Sequence, residues 1–161
     1  MKTAVIYYSM SGNTAHTAER IAKETGADLI RIEPEKAYPD KGLRKFLHGG
    51  KSAAFGEKPP LKPYAFDAEA YEQVVIGFPV WASNMAPPIR TFVAENREKL
   101  AGKQIAAFAC QSGNGAEKAF RKLQECLDDA ELKATLILID PVRKPKPEND
   151  GQIAAFGREL A

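Results

Sequence analysis

Five short strand-like apolar runs punctuate this chain, and the segments between them repeat their apolar residues at helical spacing. The runs are Thr3-Ala4-Val5-Ile6-Tyr7-Tyr8, Asp28-Leu29-Ile30-Arg31-Ile32, Val74-Val75-Ile76-Gly77-Phe78, Gln104-Ile105-Ala106-Ala107-Phe108-Ala109 and the stretch from Leu132 to Ile139. After the first run, Ala15, Ala18, Ile21 and Ala22 share one helical stripe, and Gly26 stands where a residue just past a helix end belongs. Pro87-Pro88 open a helix with Ile89, Phe92 and Val93 on its stripe, proline being suited to the first turn. Residues Ala116 to Leu127 form the next helix, with Phe120, Leu123 and Leu127 at core spacing, and Gln152 to Leu160 form a short last one. Strands alternating with helices predict an α/β fold: a parallel sheet covered on both faces. Unbroken apolar strands fit such a sheet better than a half-exposed antiparallel one.

The connection from about Glu33 to Tyr71 breaks this rhythm, being far longer than an ordinary loop and so either functional or hiding an element. The pattern places a short helix over Lys41–His48, ended by Gly49-Gly50, and expects Phe46, Phe55, Tyr64 and Phe66 to pin the segment to the body. The same region concentrates charge. Residues 36–62 carry seven basic side chains (Lys36, Lys41, Arg44, Lys45, Lys51, Lys58, Lys62) against two acids (Asp40, Glu57). The net charge of the chain is only +2. Such a segment attracts anions or serves as a solvated loop.

Length and composition narrow the class. The 161 residues are read as a single domain, 1–161, large enough for a full core. With 44% apolar and 27% charged residues, neither disorder nor a fibre is indicated. No apolar stretch approaches the ~20 residues needed to span a bilayer, and no signal-peptide plan follows Met1-Lys2, so no membrane association is expected. Cys110 and Cys126 make no disulfide framework, which points to a reducing cytoplasm. No metal-ligand spacing occurs, and no nucleic-acid module accompanies the basic residues.

The chemistry concentrates at strand ends. Ser9-Met10-Ser11-Gly12-Asn13-Thr14 follows the first strand and runs straight into a helix. Free amides of such a turn, the helix dipole and three hydroxyls make an anion cradle, and Gly12 permits backbone conformations other residues resist. A helix cap without ligand uses the same residue types. No Lys or Arg lies inside the stretch, so an anion there is held mainly by hydrogen bonds and the dipole. A dinucleotide fingerprint needs three glycines where only Gly12 stands, and a Walker loop fails at Lys45. Two further strand ends share this character. One is Gly77-Phe78-Pro79-Val80-Trp81-Ala82-Ser83-Asn84-Met85, which holds the sole tryptophan. The other is Cys110-Gln111-Ser112-Gly113-Asn114-Gly115, where Ala116 rules out a thiol-phosphatase C-x5-R loop. In open α/β sheets ligands bind beyond the carboxyl ends of strands, where strand order reverses. Together the three loops describe a phosphate cradle beside walls for a flat aromatic ligand. His16 is read as solvent-facing and Cys110 as a small buried residue.

This set of loops resembles the flavodoxin family. The family's phosphate loop reads T/S-x-T/S-G-N-T, which Ser9 to Thr14 match at every specified place. Pro79-Val80-Trp81 matches a Pro/Thr-x-Trp loop after the third strand, and Cys110 to Gly115 the glycine-rich loop after the fourth. The resemblance runs from about residue 3 to 140. It implies a flavodoxin-like three-layer sandwich with a five-stranded parallel sheet in order 2-1-3-4-5, an order belonging to the family rather than read from this pattern. It implies FMN as cofactor. Ser9, Ser11, Asn13 and Thr14, with the amides around Met10 and Gly12, hold its phosphate. Pro79, Val80, Trp81, Ala82, Ser83 and Asn84 border the isoalloxazine, with Trp81 near one face. Ser112, Gly113, Asn114 and Gly115 edge its pyrimidine end, and Cys110 opens that loop as part of the cofactor site.

Two departures from the family stand out. The loop after the fourth strand has no aromatic to stack on the outer flavin face, so that face is open unless Tyr38, Phe46, His48 or Phe55 folds over it. The loops also lack the acidic residues common in flavodoxins, which makes the reduced, anionic flavin less disfavoured here. The resemblance implies an electron carrier between a reductase and acceptor proteins, with no catalytic acid or base. The alternative is an NAD(P)H-dependent FMN or quinone reductase using the open face. Expected partners are redox proteins or a small planar electron acceptor, not nucleic acid or membrane, and the chain is expected as monomer or homodimer.

Overall fold

Each apolar run forms a strand of one sheet. The parallel strands β1 (Thr3–Tyr7), β2 (Asp28–Arg31), β3 (Gln73–Trp81), β5 (Gln104–Gln111) and β6 (Leu132–Ile139) lie in the order β2-β1-β3-β5-β6. A two-residue strand, β4 (Asn84–Met85), folds back antiparallel on the end of β3. With β4 set aside, the five parallel strands follow the expected order 2-1-3-4-5. The computed structural model describes residues 1–39 and 50–161.

Four helices cover the sheet: α1 (Asn13–Thr25), α2 (Pro87–Leu100), α3 (Ala116–Cys126) and α4 (Glu148–Leu160). Alternate residues of each strand feed two separate cores, as a sheet buried on both faces requires. Val5, Val75, Phe108 and Leu138 pack with Ile21 of α1 and Phe156 of α4. Ile6, Val74, Ile76 and Phe78 pack with Phe92 of α2 and Leu123 of α3. The result is the expected three-layer sandwich.

Strand ends differ from the sequence pattern by a residue or two, and three boundaries have a clear physical reason. The last helix begins at Glu148 rather than Gln152, because Pro147 precedes it and Glu148 and Asp150 favour the positive end of its dipole. The polar start and Gly151 conceal that turn. The third strand does not stop at Pro79 but continues to Trp81. The Gly77 carbonyl accepts from the Tyr8 amide at 3.2 Å, so Gly77 and, two residues on, Pro79 face β1. β1 has ended by that level, and the missing N–H of Pro79 breaks no ladder bond. The helix ending near Leu127 stops at Cys126, with Leu127 as its cap.

The long connection closes on itself at its base. Pro34 bridges Leu61, Glu35 donates its amide to Pro60, and Lys62 donates to Glu33. The helix expected over Lys41–His48, and Phe46 and His48 with it, fall outside the described residues. Gly50, expected to end that helix, is itself helical, in a stretch covering 50–54. Tyr64 and Phe66 pin the segment as anticipated, with rings 5.6 and 5.3 Å from that of Phe92. Phe55 does not; it is 72% exposed, on a short helical end where its amide donates to the Lys51 carbonyl.

Candidate functional site

The first loop is built as an anion cradle. Gly12 caps α1 in the left-handed region, φ 96°, and no side chain caps the helix. The first bond of α1 runs from the His16 amide to the Gly12 carbonyl at 2.9 Å, so the amides of Asn13, Thr14 and Ala15 lack intrahelical partners. The Ser9 hydroxyl is buried and, among the described residues, has no hydrogen-bond partner. A buried hydroxyl left unpaired costs about 1–3 kcal/mol, a cost that a hydrogen-bonding ligand would offset. The Ser9 carbonyl accepts from Arg31 at 3.1 Å, and Arg31 also lies over the Tyr7 ring. A cation therefore stands behind a loop that has none in its own sequence. Asn13 is partly committed elsewhere, its side-chain oxygen accepting from the Val142 amide at 3.1 Å. His16 is exposed, as expected.

Thr14 is buried beneath this loop. Cys110 lies beside it, its thiol 3.6 Å from the Thr17 hydroxyl. Burial pushes the Cys110 thiol up to about 11, against the opposing pull of hydrogen bonds from Thr17 and Thr14. At neutral pH it is a protonated, unreactive packing residue.

The second loop is a tight hairpin between β3 and β4. Trp81 pairs with Asn84, leaving Ala82 and Ser83 as its two central residues at φ 50° and 57°. Two left-handed central residues define the geometry of a type I′ turn, which favours Asn and Gly. Ala and Ser there store strain beside the cleft. Ala82→Gly is expected to raise stability by about 0.5–1 kcal/mol, strain relief exceeding the entropy lost with glycine; a urea midpoint checks it. The Asn84 side chain turns inward. Its oxygen accepts from the Met85 amide and from Arg90, and its amide donates to the Ala53 carbonyl at 2.9 Å.

The third loop packs on the second. Gly115 caps α3 at φ 102°, and a Cβ there would lie 2.8 Å from the Ser83 hydroxyl and 2.9 Å from its Cα. Gln111 accepts from the Ala116 amide, and Ser112 donates to Asp140 at 3.0 Å.

The three loops converge on a cleft of about 400 Å³. Ser11 and Asn13, then Pro79, Val80, Trp81 and Ala82, then Cys110, Ser112, Gly113 and Asn114 line it, together with Asp140 and Arg143. Ser9 and Met10 line a smaller cavity of about 210 Å³ with Tyr8 and Tyr38. Ser83 and Gly115 face a shallower depression of about 460 Å³ with Lys118 and Arg121. The larger depression has no aromatic wall and no cradle, so size does not decide between them. Sequence reasoning missed Asp140 and Arg143, although β6 ends at the same edge and the strand-end rule applied to it as well. Trp81 is the only aromatic among the described lining residues, and Tyr8 and Tyr38 stand edge-on behind it.

The residues present fit FMN. The cleft has the volume of a small-molecule site, a flat aromatic wall, and an anion cradle with an unpaired buried hydroxyl. The flavodoxin family model matches residues 2–146. A flavoprotein of Lactobacillus acidophilus NCFM, solved in complex with FMN, superposes with a TM-score of 0.73 at 22% identity, covering 94% of this chain and 97% of that one. A flavodoxin from the domain Archaea gives 0.61 at 20% identity, covering 100% and 96%. A flavodoxin, WrbA-like protein of Agrobacterium tumefaciens gives 0.61 at 14%, covering 98% and 95%. At these identities the likeness is one of fold. No curated protein matches the chain. Family match, strand order and loop placement agree: this chain belongs to the flavodoxin family.

Proposed function

We propose that this chain binds FMN in the cleft and carries electrons between a reductase and acceptor proteins. The observation that carries this reading is the Ser9–Thr14 cradle, with its unpaired Ser9 hydroxyl, at the end of β1 where strand order reverses. Bound FMN supplies the redox chemistry, so no catalytic acid or base is required of the protein. Ser9, Ser11 and the amides of residues 13–15 hold the phosphate. The Trp81 hairpin borders the ring system, and Ser112 to Asn114 edge its polar end. Asp140 and Arg143 set opposite charges at the rim, so no acidic cluster opposes the reduced flavin.

One observation favours a second reading, an NAD(P)H-dependent FMN or quinone reductase. With Trp81 as the only described aromatic in the cleft, the other flavin face is left to a second planar molecule. Stopped-flow mixing of the FMN-loaded protein with NADH and NADPH separates the two. The carrier predicts flavin reduction far slower than by a reductase protein; rapid direct bleaching by either nucleotide overturns it in favour of the enzyme.

A further inference from the structure

The long connection has no role in the reading above, yet Gly50 lines the cleft and two further contacts reach the Trp81 hairpin. Tyr38 sets its ring against Trp81, centroids 5.3 Å apart and planes at 84°, while Tyr8 approaches Trp81 at 5.8 Å and 90°. Tyr8 is fixed by the sheet, since it is buried at the end of β1 and its amide donates to Gly77. Tyr38 reaches Trp81 from the long connection. Its hydroxyl lies 3.4 Å from that of Ser52, which is 2% exposed and donates to Glu57 at 2.6 Å. The Glu57 amide returns to the Ser52 carbonyl, closing the turn. The second point of contact is the Ala53 carbonyl, which accepts from Asn84 at the base of the same hairpin. The connection thus grips the Trp81 hairpin by its ring and by its stem. Tyr8 and Tyr38 also share a cavity of about 210 Å³ with Ser9 and Met10, so the Tyr38 ring stands beside the start of the cradle as well.

We propose that Tyr38 is a positioning residue for the cofactor site: held by the Ser52–Glu57 turn, it fixes the Trp81 ring that walls the cleft and so couples the docking of the long connection to FMN binding. The coupling rests on the FMN reading; the placement of Trp81 by Tyr38 does not. Edge-on aromatic pairs have a definite orientation preference and a definite strength, which makes Tyr38 a brace rather than filler. Coupling is reciprocal, so whatever factor Tyr38 contributes to FMN affinity, FMN contributes to the docking of residues 50–57.

The test uses the apo and FMN-loaded full chain with Tyr38→Phe and Tyr38→Leu. Trp81 is the only tryptophan, so tryptophan emission reports on the surroundings of this one ring. Tyr38→Leu is expected to increase acrylamide quenching of Trp81 and shift its emission to the red in the apo protein, and Tyr38→Phe to leave both near wild type. FMN affinity is expected to fall about 2- to 10-fold in Tyr38→Leu, the worth of one aromatic contact, and to be retained in Tyr38→Phe. FMN-induced amide-exchange protection of residues 50–57 is expected in wild type and Tyr38→Phe and lost in Tyr38→Leu. Unchanged Trp81 emission and quenching in Tyr38→Leu overturns the placement. A normal FMN affinity in that variant, or no FMN-induced protection in wild type, overturns the coupling. A wild-type chain that binds no FMN defeats the cofactor reading and the coupling together, while the apo fluorescence decides the placement by itself.

Discussion

Gly77→Ala is expected to lower stability by about 3 kcal/mol and the Tm by roughly 6–12 °C. Gly77 and Phe108 are direct neighbours across β3 and β5. A Cβ on Gly77 would sit 2.0 Å from Phe108 Cζ and 2.2 Å from Cε1, far inside van der Waals contact with the ring. Phe108 is fully buried among Val5, Tyr7 and Leu138, so it has nowhere to move. Packed interiors give way to such an insertion only by forcing side chains off rotamer or shifting backbone. The missing side chain is thus what leaves room for the Phe108 ring at the level where β1 ends and the site begins. A double-mutant cycle checks it: Gly77→Ala in a Phe108→Leu background should cost far less than in wild type. Additive losses would contradict the account.

Ser9→Ala is expected to weaken FMN binding by about 10- to 100-fold, the range for a hydrogen bond to a charged group, while leaving the apo protein as stable or about 1 kcal/mol more so. The opposite signs follow from one fact. The Ser9 hydroxyl is buried without a partner among the described residues, so removing it relieves a penalty in the free protein and removes a donor in the complex. A hydroxyl serving only to cap α1 would lose stability on removal, and no such cap bond exists. Calorimetric or fluorescence titration with FMN, beside a urea melt of the apo form, reads both halves.

What the sequence disclosed was whatever is local. Runs of residues such as Val74–Ile76 announce buried strands, and Ser9–Thr14 announces its cradle, because period and residue type act within a few positions. The strand-end rule then brought Trp81 and Cys110–Gly115 to the same edge. What stayed hidden depends on partners far away in sequence. Arg31 reaches the Ser9 carbonyl only because β1 and β2 pair. Asp140 and Arg143 join the cleft only through β6, and Asn84 turns inward because Ala53 and Arg90 satisfy it. The type I′ hairpin at Ala82-Ser83 has neither Asn nor Gly, the residues that advertise such a turn. The continuation of β3 past Pro79 depends on where its neighbour stops. Tyr38, one of four aromatic residues considered as a cover for the open face, packs behind Trp81 instead.

The comparison of FMN with riboflavin tests the central claim most directly, since the two differ only in the phosphate that the Ser9–Thr14 cradle is built to hold. Equilibrium titration of the apo protein with each should show FMN binding about 100-fold or more tightly, because several charge-assisted hydrogen bonds from free amides and hydroxyls go to the phosphate alone. Equal affinities for the two would contradict the account and return the loop to a helix cap with no ligand.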